Sequence, residues 1–456
     1  MSSRWKRSGL TLTMAALCVV AAASVASAQP WESASVAGPS QAGKTLTIYG
    51  MGGRDDVAQG RLDIATKVIE NTGAKVSNPV GGFNDQAFLA RLAARDVPDL
   101  VYMSRSLIGT YAARNALVPL ANCLKSEKID RKQYRAAALA EVSYKGQLYA
   151  LPEFTNQITI IVNNDAARQA GVNPADISTT NWAKLRQANK KLLRIENGRL
   201  TRIGFDPKIP EFFPLWVKWF GADLISKDGL TAKLNTRQSI AALEYTHSLI
   251  RDHGGWDRFK AFRDTFDFFG SGNPFVKNQL SATPFESFLY NVLADNSPNI
   301  EITPKFFTNR KGGPITLLNG SGWAIARGAA NPDLACKFMK SMTAVNSWKA
   351  VAKSRFDLRK RQGRAFTGLY TANTKADVEI YEDIYQKIGK KQFDDAVDLL
   401  VAAPRYAFAL PSSPASAQFR QAYIDGVNRV LAGQQNPRQA LNQAQQEAQK
   451  AINDAK

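Results

Sequence analysis

Two glutamates, Glu153 and Glu286, interrupt otherwise apolar runs, "YALPEFTNQITIIV" and "LSATPFESFLY". A carboxylate drawn into such surroundings needs a cation, a hydrogen-bond donor or a ligand hydroxyl. Two carboxylates can also be the acid and nucleophile of a glycosidase, where their separation decides the outcome. Other catalytic patterns are missing from the sequence: there is no P-loop, no HExxH and no zinc-type cysteine spacing. His247 and His253 lie on or just beyond one helical segment without ligand partners nearby in sequence, so a core or surface histidine is the preferred reading of each. "GMGG" at Gly50 is not a dinucleotide fingerprint, because Asp55 stands where the third glycine belongs. These residues give no catalytic group, no metal site and no cofactor.

The elements that would position the glutamates follow from periodicity. At 456 residues, with 45% hydrophobic and 10% aromatic content, the chain folds and exceeds what one core usually serves, so two lobes are expected. "TLTIY" from Thr45 reads as a strand, and "GMGGRDD" as a turn into a helix with Val57, Arg61, Ile64, Ala65 and Val68 at helical spacing. "AKVSNPV" is a second strand, and Asn84 or Asp85 caps a helix carrying Phe88, Leu89, Leu92 and Ala93. "PDLVYM" is a third strand. This alternation implies a parallel sheet with ligand sites at its carboxyl ends, Gly50 to Arg54, Val80 to Phe83 and Ser104-Arg105. "PITLLNGSGWAIAR" reads as strand, glycine turn and strand, and the C-terminal tail as two helices separated by Gly433 to Pro437.

The N-terminus has Arg4, Lys6 and Arg7, an apolar run from about Leu10 to Ala23 and Ala26-Ser27-Ala28, the pattern of a secretory signal peptide over 1–28. Residues 29–43 read as a disordered leader. Cys18 follows Leu17 where lipoprotein processing needs a small residue, so no lipid anchor is expected. Removing the leader lowers the formal net charge from +20 to about +17, which favours anionic ligands or surfaces. Nothing resembles a nucleic-acid-binding motif. Cys123 and Cys336 either pair, closing a loop worth roughly 4–5 kcal/mol in the chain-entropy account, or stay as two buried thiols.

Four stretches, "RLAARDVPDLVYM", "YKGQLYALPEFTNQITIIVNNDAARQAGV", "GSGWAIARGAANPDLACKFMKSM" and "NPRQALNQAQQEAQKAIND", in this order resemble the extracellular solute-binding proteins of ABC importers, of the maltose-binding-like family 1 type. The resemblance runs from about residue 44 to the end. It implies an α/β, two-lobed periplasmic-binding-protein fold of type II, each lobe a mostly parallel sheet flanked by helices and joined by hinge crossings. The first lobe would comprise 44–153 plus about 323–350, and the second about 154–322 plus 351–456. The protein would be a periplasmic monomer that captures a carbohydrate-like ligand between the lobes and delivers it to an inner-membrane permease. Glu153 to Gln157 would lie at the floor of the crevice, and Ile158 to Val162 would be an interior strand buried on both faces, as parallel strands are.

Sugars are held by aromatic faces and by planar polar groups. The aromatic candidates are Phe83, Phe154, Trp216, Trp219, Phe288 and Trp323, with core packing as the alternative for Trp216 and Trp219. Gly320 and Ser321 precede Trp323 in a turn that would let a ligand approach backbone. The polar candidates are Arg54, Asn84, Asp85, Arg105, Glu153, Asp206, Glu286, Ser321, Arg355 and Arg405, and the arginines keep acidic sugars open through bidentate pairing. Pro284 to Phe288 departs from the Gly-Pro-Trp-like turn frequent in the family, which changes the expected wall of the crevice.

Overall fold

The computed structural model describes residues 41–270 and 272–456. The expected signal peptide and the leader up to residue 40 lie outside the described residues. Of the leader's last residues, Gln41 donates its backbone N–H to Thr72 O at 2.8 Å, so the chain is tied to the fold by that point.

The chain lays down β1 (Thr45–Tyr49), β2 (Lys75–Ser77), β3 (Leu100–Ser104), a small hairpin of β4 (Ser143–Tyr144) and β5 (Gln147–Leu148), and β6 (Ala150–Pro152). It continues through β7 (Asn156–Asn163), β8 (Arg194–Glu196), β9 (Arg199–Phe205), β10 (Leu280–Glu286), β11 (Ile302–Thr308), β12 (Pro314–Asn319), β13 (Ser321–Ile325) and β14 (Ala407–Phe408). Two main sheets result, ordered β2-β1-β3-β13-β6 and β14-β12-β11-β7-β10-β9-β8.

In β1 the alternation of Thr45-Leu46-Thr47-Ile48 turns Leu46 and Ile48 into the core. The following helix, Asp56–Glu70, starts where Asp55 accepts from Ala58 N and buries Val57, Ala58, Arg61, Leu62, Ala65 and Ile69. Asn84, rather than Asp85, caps the helix Asp85–Ala93, and Phe88 is the one residue of that helix fully inside.

The two-lobed α/β architecture is as expected, with a more mixed strand order. Parallel pairing holds for β1 with β2 and β3, for β9 with β10 and for β12 with β14. β13 runs against β3 and β6, and β7 against β10 and β11. The reason is connectivity, since β7 and β13 enter their sheets from the crevice while β10 and β3 run towards it. Ile158 to Val162 of β7 is sealed as expected, but between antiparallel neighbours. Helices on both faces, rather than parallel pairing, account for that burial.

Each sheet has its own apolar core, and a third cluster joins Val57 to Trp348, Val351, Phe356 and Phe366 beside the helices Val345–Arg361 and Thr374–Asp383. Cys123 and Cys336 form a disulfide across the first core, with Cα atoms 5.6 Å apart, which settles the alternative left open by the sequence.

Candidate functional site

Three stretches of chain meet where the two sheets adjoin. Glu153 N donates to Ser321 O at 3.0 Å, Ala372 N to Glu153 O at 2.7 Å and Thr155 N to Tyr370 O at 2.9 Å. Phe154 thus sits at a junction of segments 153–155, 320–321 and 370–372, and its ring is partly open. On one side of it lies a cavity of about 670 Å³, bordered by Asp85, Ser104, Glu141, Glu211, Glu286 and Arg420. On the other side lies one of about 340 Å³, bordered by Asp55, Arg61, Tyr102, Phe288, Trp348 and Arg355.

Two sealed arginines support this floor. Arg61 pairs with Glu153, donates to Met342 O at 3.2 Å and lays its guanidinium 3.7 Å from the Trp348 ring centroid. Burial, then the charge of Glu153, pushes the Tyr102 hydroxyl well above its ordinary pKa. Arg105 pairs with Glu141 at 2.7 Å and donates to Phe154 O at 2.5 Å. Burial pushes the Glu141 carboxyl up, while Arg105 opposes the shift.

Arg105 also explains Gly320. A Cβ at that position would meet Arg105 Nη1 and Phe154 O, each at 2.3 Å, and the carbonyl cannot swing away. Gly320→Ala should therefore destabilise by about 1–3 kcal/mol through forced displacement of the junction. Denaturant unfolding measures this, and an unchanged midpoint would contradict so tight a crossing.

Of the expected ligand-contacting residues, Asp85, Phe154, Glu286, Gly320 and Ser321 border the larger cavity, and Phe154, Phe288 and Arg355 the smaller. Glu153 and Arg105 lie just behind the walls, held by the pairs described above. Burial would lower the Arg355 pKa, yet Asp56 and Asp55 keep it above its ordinary value.

The remaining candidates are placed elsewhere. Arg54 donates to Asn78 O at 2.6 Å, and Asn84 caps its helix. Phe83 packs in a ring cluster with Tyr49, Phe88 and Tyr111. Asp206 is buried 3.1 Å from Arg263. Trp216 and Trp219 are fully in the second core, their indole N–H groups satisfied by Pro207 O and Thr179 O. Trp323 is sealed in the first core against Tyr102 and Phe338. Arg405 is exposed and borders neither cavity.

The paired-carboxylate reading finds no support. Glu153 is sealed and committed to Arg61, whereas Glu286 opens into the larger cavity. His253 accepts from Gly204 N at 3.0 Å, and its other ring nitrogen is 2.9 Å from Leu249 O, so it is a satisfied core residue. Its pKa is lowered by burial. A separate cavity of about 880 Å³ lies away from this junction, between the helices Trp182–Leu192 and Arg237–Arg251.

Sequence reasoning missed Arg61, Tyr102, Trp348 and the stretch Leu410 to Ser413, which also borders the larger cavity. Arg61 carried a signal, being a cation on an apolar helical stripe. The loop carried none.

The family model described as "Bacterial extracellular solute-binding protein" matches residues 67–358. An arabinooligosaccharide-binding protein of Bacillus subtilis (strain 168) is 24% identical over 174 residues, which is 38% of this chain and only 39% of that relative's length. Among solved structures, CpMnBP1 with mannotriose bound superposes with a TM-score of 0.72 at 21% identity, covering 89% of this chain and all of that one. The substrate-binding protein Lmo0181 of Listeria monocytogenes, in complex with cycloalternan, gives 0.68 at 18% identity, covering 90% of this chain and 99% of that one. At such identities the likeness establishes the fold.

Proposed function

Since the chain belongs to the bacterial extracellular solute-binding proteins, we propose that its crevice captures a carbohydrate, an oligosaccharide in particular, and that the closed complex is handed to a membrane permease of an ABC importer. The observation that carries this reading is the pair of cavities flanking Phe154, bordered by residues of both lobes and floored by three hydrogen-bonded crossings. A ring stacked on Phe154 has hydrogen-bonding groups on either side of it, Ser104, Glu286 and Ser321 on one and Asn156, Asn291 and Tyr102 on the other.

A ligand that touches both lobes favours the closed state by its differential affinity, and hinge motion at 153–155, 320–321 and 370–372 would bring it about. The lobes would divide as the sequence suggests, at about 153/154 and 322/323. The protein would act as a periplasmic monomer without cofactor or nucleic-acid partner, exported by its N-terminal segment. Among the described residues no helix is long and apolar enough to cross a membrane. The arabinooligosaccharide-binding relative and the mannotriose-bound neighbour support neutral oligosaccharides as first probes.

The test is a thermal-shift and calorimetric screen of oligosaccharides. A ligand at a hundredfold excess over Kd should add roughly 2.7 kcal/mol of stability, with one-to-one saturation and the ligand recovered unchanged. Recovery of a cleaved glycan at catalytic protein concentration would overturn the transport reading.

A further inference from the structure

The larger cavity has a charge balance opposite to that of the chain. The sequence carries +20 overall, yet four carboxylates, Asp85, Glu141, Glu211 and Glu286, border this cavity against one guanidinium, Arg420. Glu141 is matched by Arg105 at 2.7 Å and Glu211 by Arg263 at 3.1 Å. Asp85 and Glu286 have no ion pair among the described residues. Asp85 accepts from the Tyr111 hydroxyl, and Glu286 has the Lys208 charge and the Asn319 side chain near it. Arg420 is exposed and lies near Tyr423. The smaller cavity, by contrast, has its charges matched, Arg61 with Glu153 and Arg355 with Asp55 and Asp56.

The two unmatched carboxylates come from opposite sides. Asp85 opens a helix of the first lobe, and Glu286 ends β10 of the second. Closure expels water between them and raises the cost of leaving either charge unpaired. Burial already holds the Glu286 carboxyl above its ordinary range, and Glu211 adds to this, while Lys208 and Asn319 pull it down. A ligand ammonium would donate charge-assisted hydrogen bonds to these carboxylates, and a ligand carboxylate would meet like charge. The arginines expected from the sequence to clamp an acidic sugar are committed to Asn78 O, to Glu141 or to Asp55 and Asp56, or lie away from the crevice, which leaves the exposed Arg420 as the cation on the border of this cavity.

Resting on the carbohydrate reading of the crevice, we propose that the larger cavity prefers carbohydrates carrying a protonated amine, accepts neutral ones and rejects carboxylated ones, with Asp85 and Glu286 setting that order.

The experiment is calorimetric titration at pH 7 of the wild-type protein and of the double variant Asp85→Asn/Glu286→Gln. The probes are hexosamine di- and trisaccharides as free amines, their N-acetylated forms, hexuronate di- and trisaccharides, and neutral manno- and arabinooligosaccharides. The free amine should bind roughly tenfold tighter than its neutral counterpart and the uronate roughly tenfold weaker, the equivalent of about 1.4 kcal/mol at each step. In the double variant both ratios should collapse towards one.

A uronate bound as tightly as its neutral counterpart overturns the proposal, as does an amine-to-neutral ratio that is the same in both proteins. The wild-type order decides by itself should the double variant not fold. Neutral binding without any charge order overturns this inference alone. Failure of every probe, neutral oligosaccharides included, overturns the carbohydrate reading and this inference with it.

Discussion

Arg61→Met should cost about 3–5 kcal/mol of stability, because it strands a sealed carboxylate rather than because it removes an attraction. Arg61 is 3% and Glu153 0% exposed, and each is the other's charge partner. The Glu153 backbone is fixed on both sides of the same junction, its N–H on Ser321 O and its carbonyl under Ala372 N. The stranded carboxylate therefore cannot move out to water without breaking the contacts that join all three crossings. Loss of the guanidinium also uncovers the Trp348 ring, a desolvated cation–π contact worth up to about 2 kcal/mol. Because Arg61 and Trp348 border the smaller cavity, ligand-induced thermal stabilisation should fall with stability.

The double variant Arg61→Met/Glu153→Gln separates the causes. It replaces the ion pair with a neutral amide beside a thioether, so most of the lost stability should return. Denaturant midpoints of the wild type, the two single variants and the double variant give the coupling energy directly. A single variant within about 1 kcal/mol of wild type, or a double variant no better than Arg61→Met, would show that the pair does not hold the junction.

The crossing was legible through the family resemblance of its stretch, and the local chemistry, which changes abruptly along the chain, agrees with it. "KGQLYALP" gives a tight hairpin and a short buried strand, polar residues follow, and Ile158 to Val162 is too uniformly apolar for a strand with one wet face. Glu153 and Glu286 were legible as special from that local chemistry, although sequence could not say that one is locked to Arg61 and the other opens into a cavity. That difference depends on partners 92 residues away in one case and on the shape of the crevice in the other.

The tryptophans show where local reading ends. "GSGW" suits a ligand-facing Trp and a core Trp equally, and strand register decides between them. Trp323 lies one pleat deeper than Ser321, opposite Tyr102 and Leu151, where Phe338 covers it. The arginines were misleading for a related reason. Arg355 looks like a free cation in a basic run, but its partners Asp55 and Asp56 stand 300 and 299 residues earlier, and such pairings leave no trace in local sequence. Arg61 could have been read correctly, since a cation spaced with Val57, Ile64 and Ala65 on one helical stripe must find a buried partner.

Removing the disulfide, by reduction or by Cys123→Ser/Cys336→Ser, should lower stability by about 5 kcal/mol while leaving ligand affinity nearly unchanged. The bridge joins the helix Ala121–Ser126 to the helix Pro332–Thr343, whose cysteines share one apolar core, and closes a loop with a sequence separation of 213. That loop contains β7 to β12 and the outward and return crossings at 153–155 and 320–321. In the unfolded chain the bridge therefore keeps the two ends of this long loop together, and its loss releases chain entropy that folding must then overcome. In the folded protein neither cysteine borders either crevice cavity, so the binding geometry does not depend on it. Lys337 and Lys340 still pair with Glu127 across the same two helices, at 2.8 and 3.2 Å, and keep them in register once the bond is gone. Denaturant unfolding with and without reductant should give one common shift for the reduced wild type and the serine variant, with calorimetric Kd values within about twofold of wild type. A reduced protein that unfolds at the oxidised midpoint would mean that the bridge does not constrain the unfolded chain. A large loss of affinity would mean instead that it shapes the crevice.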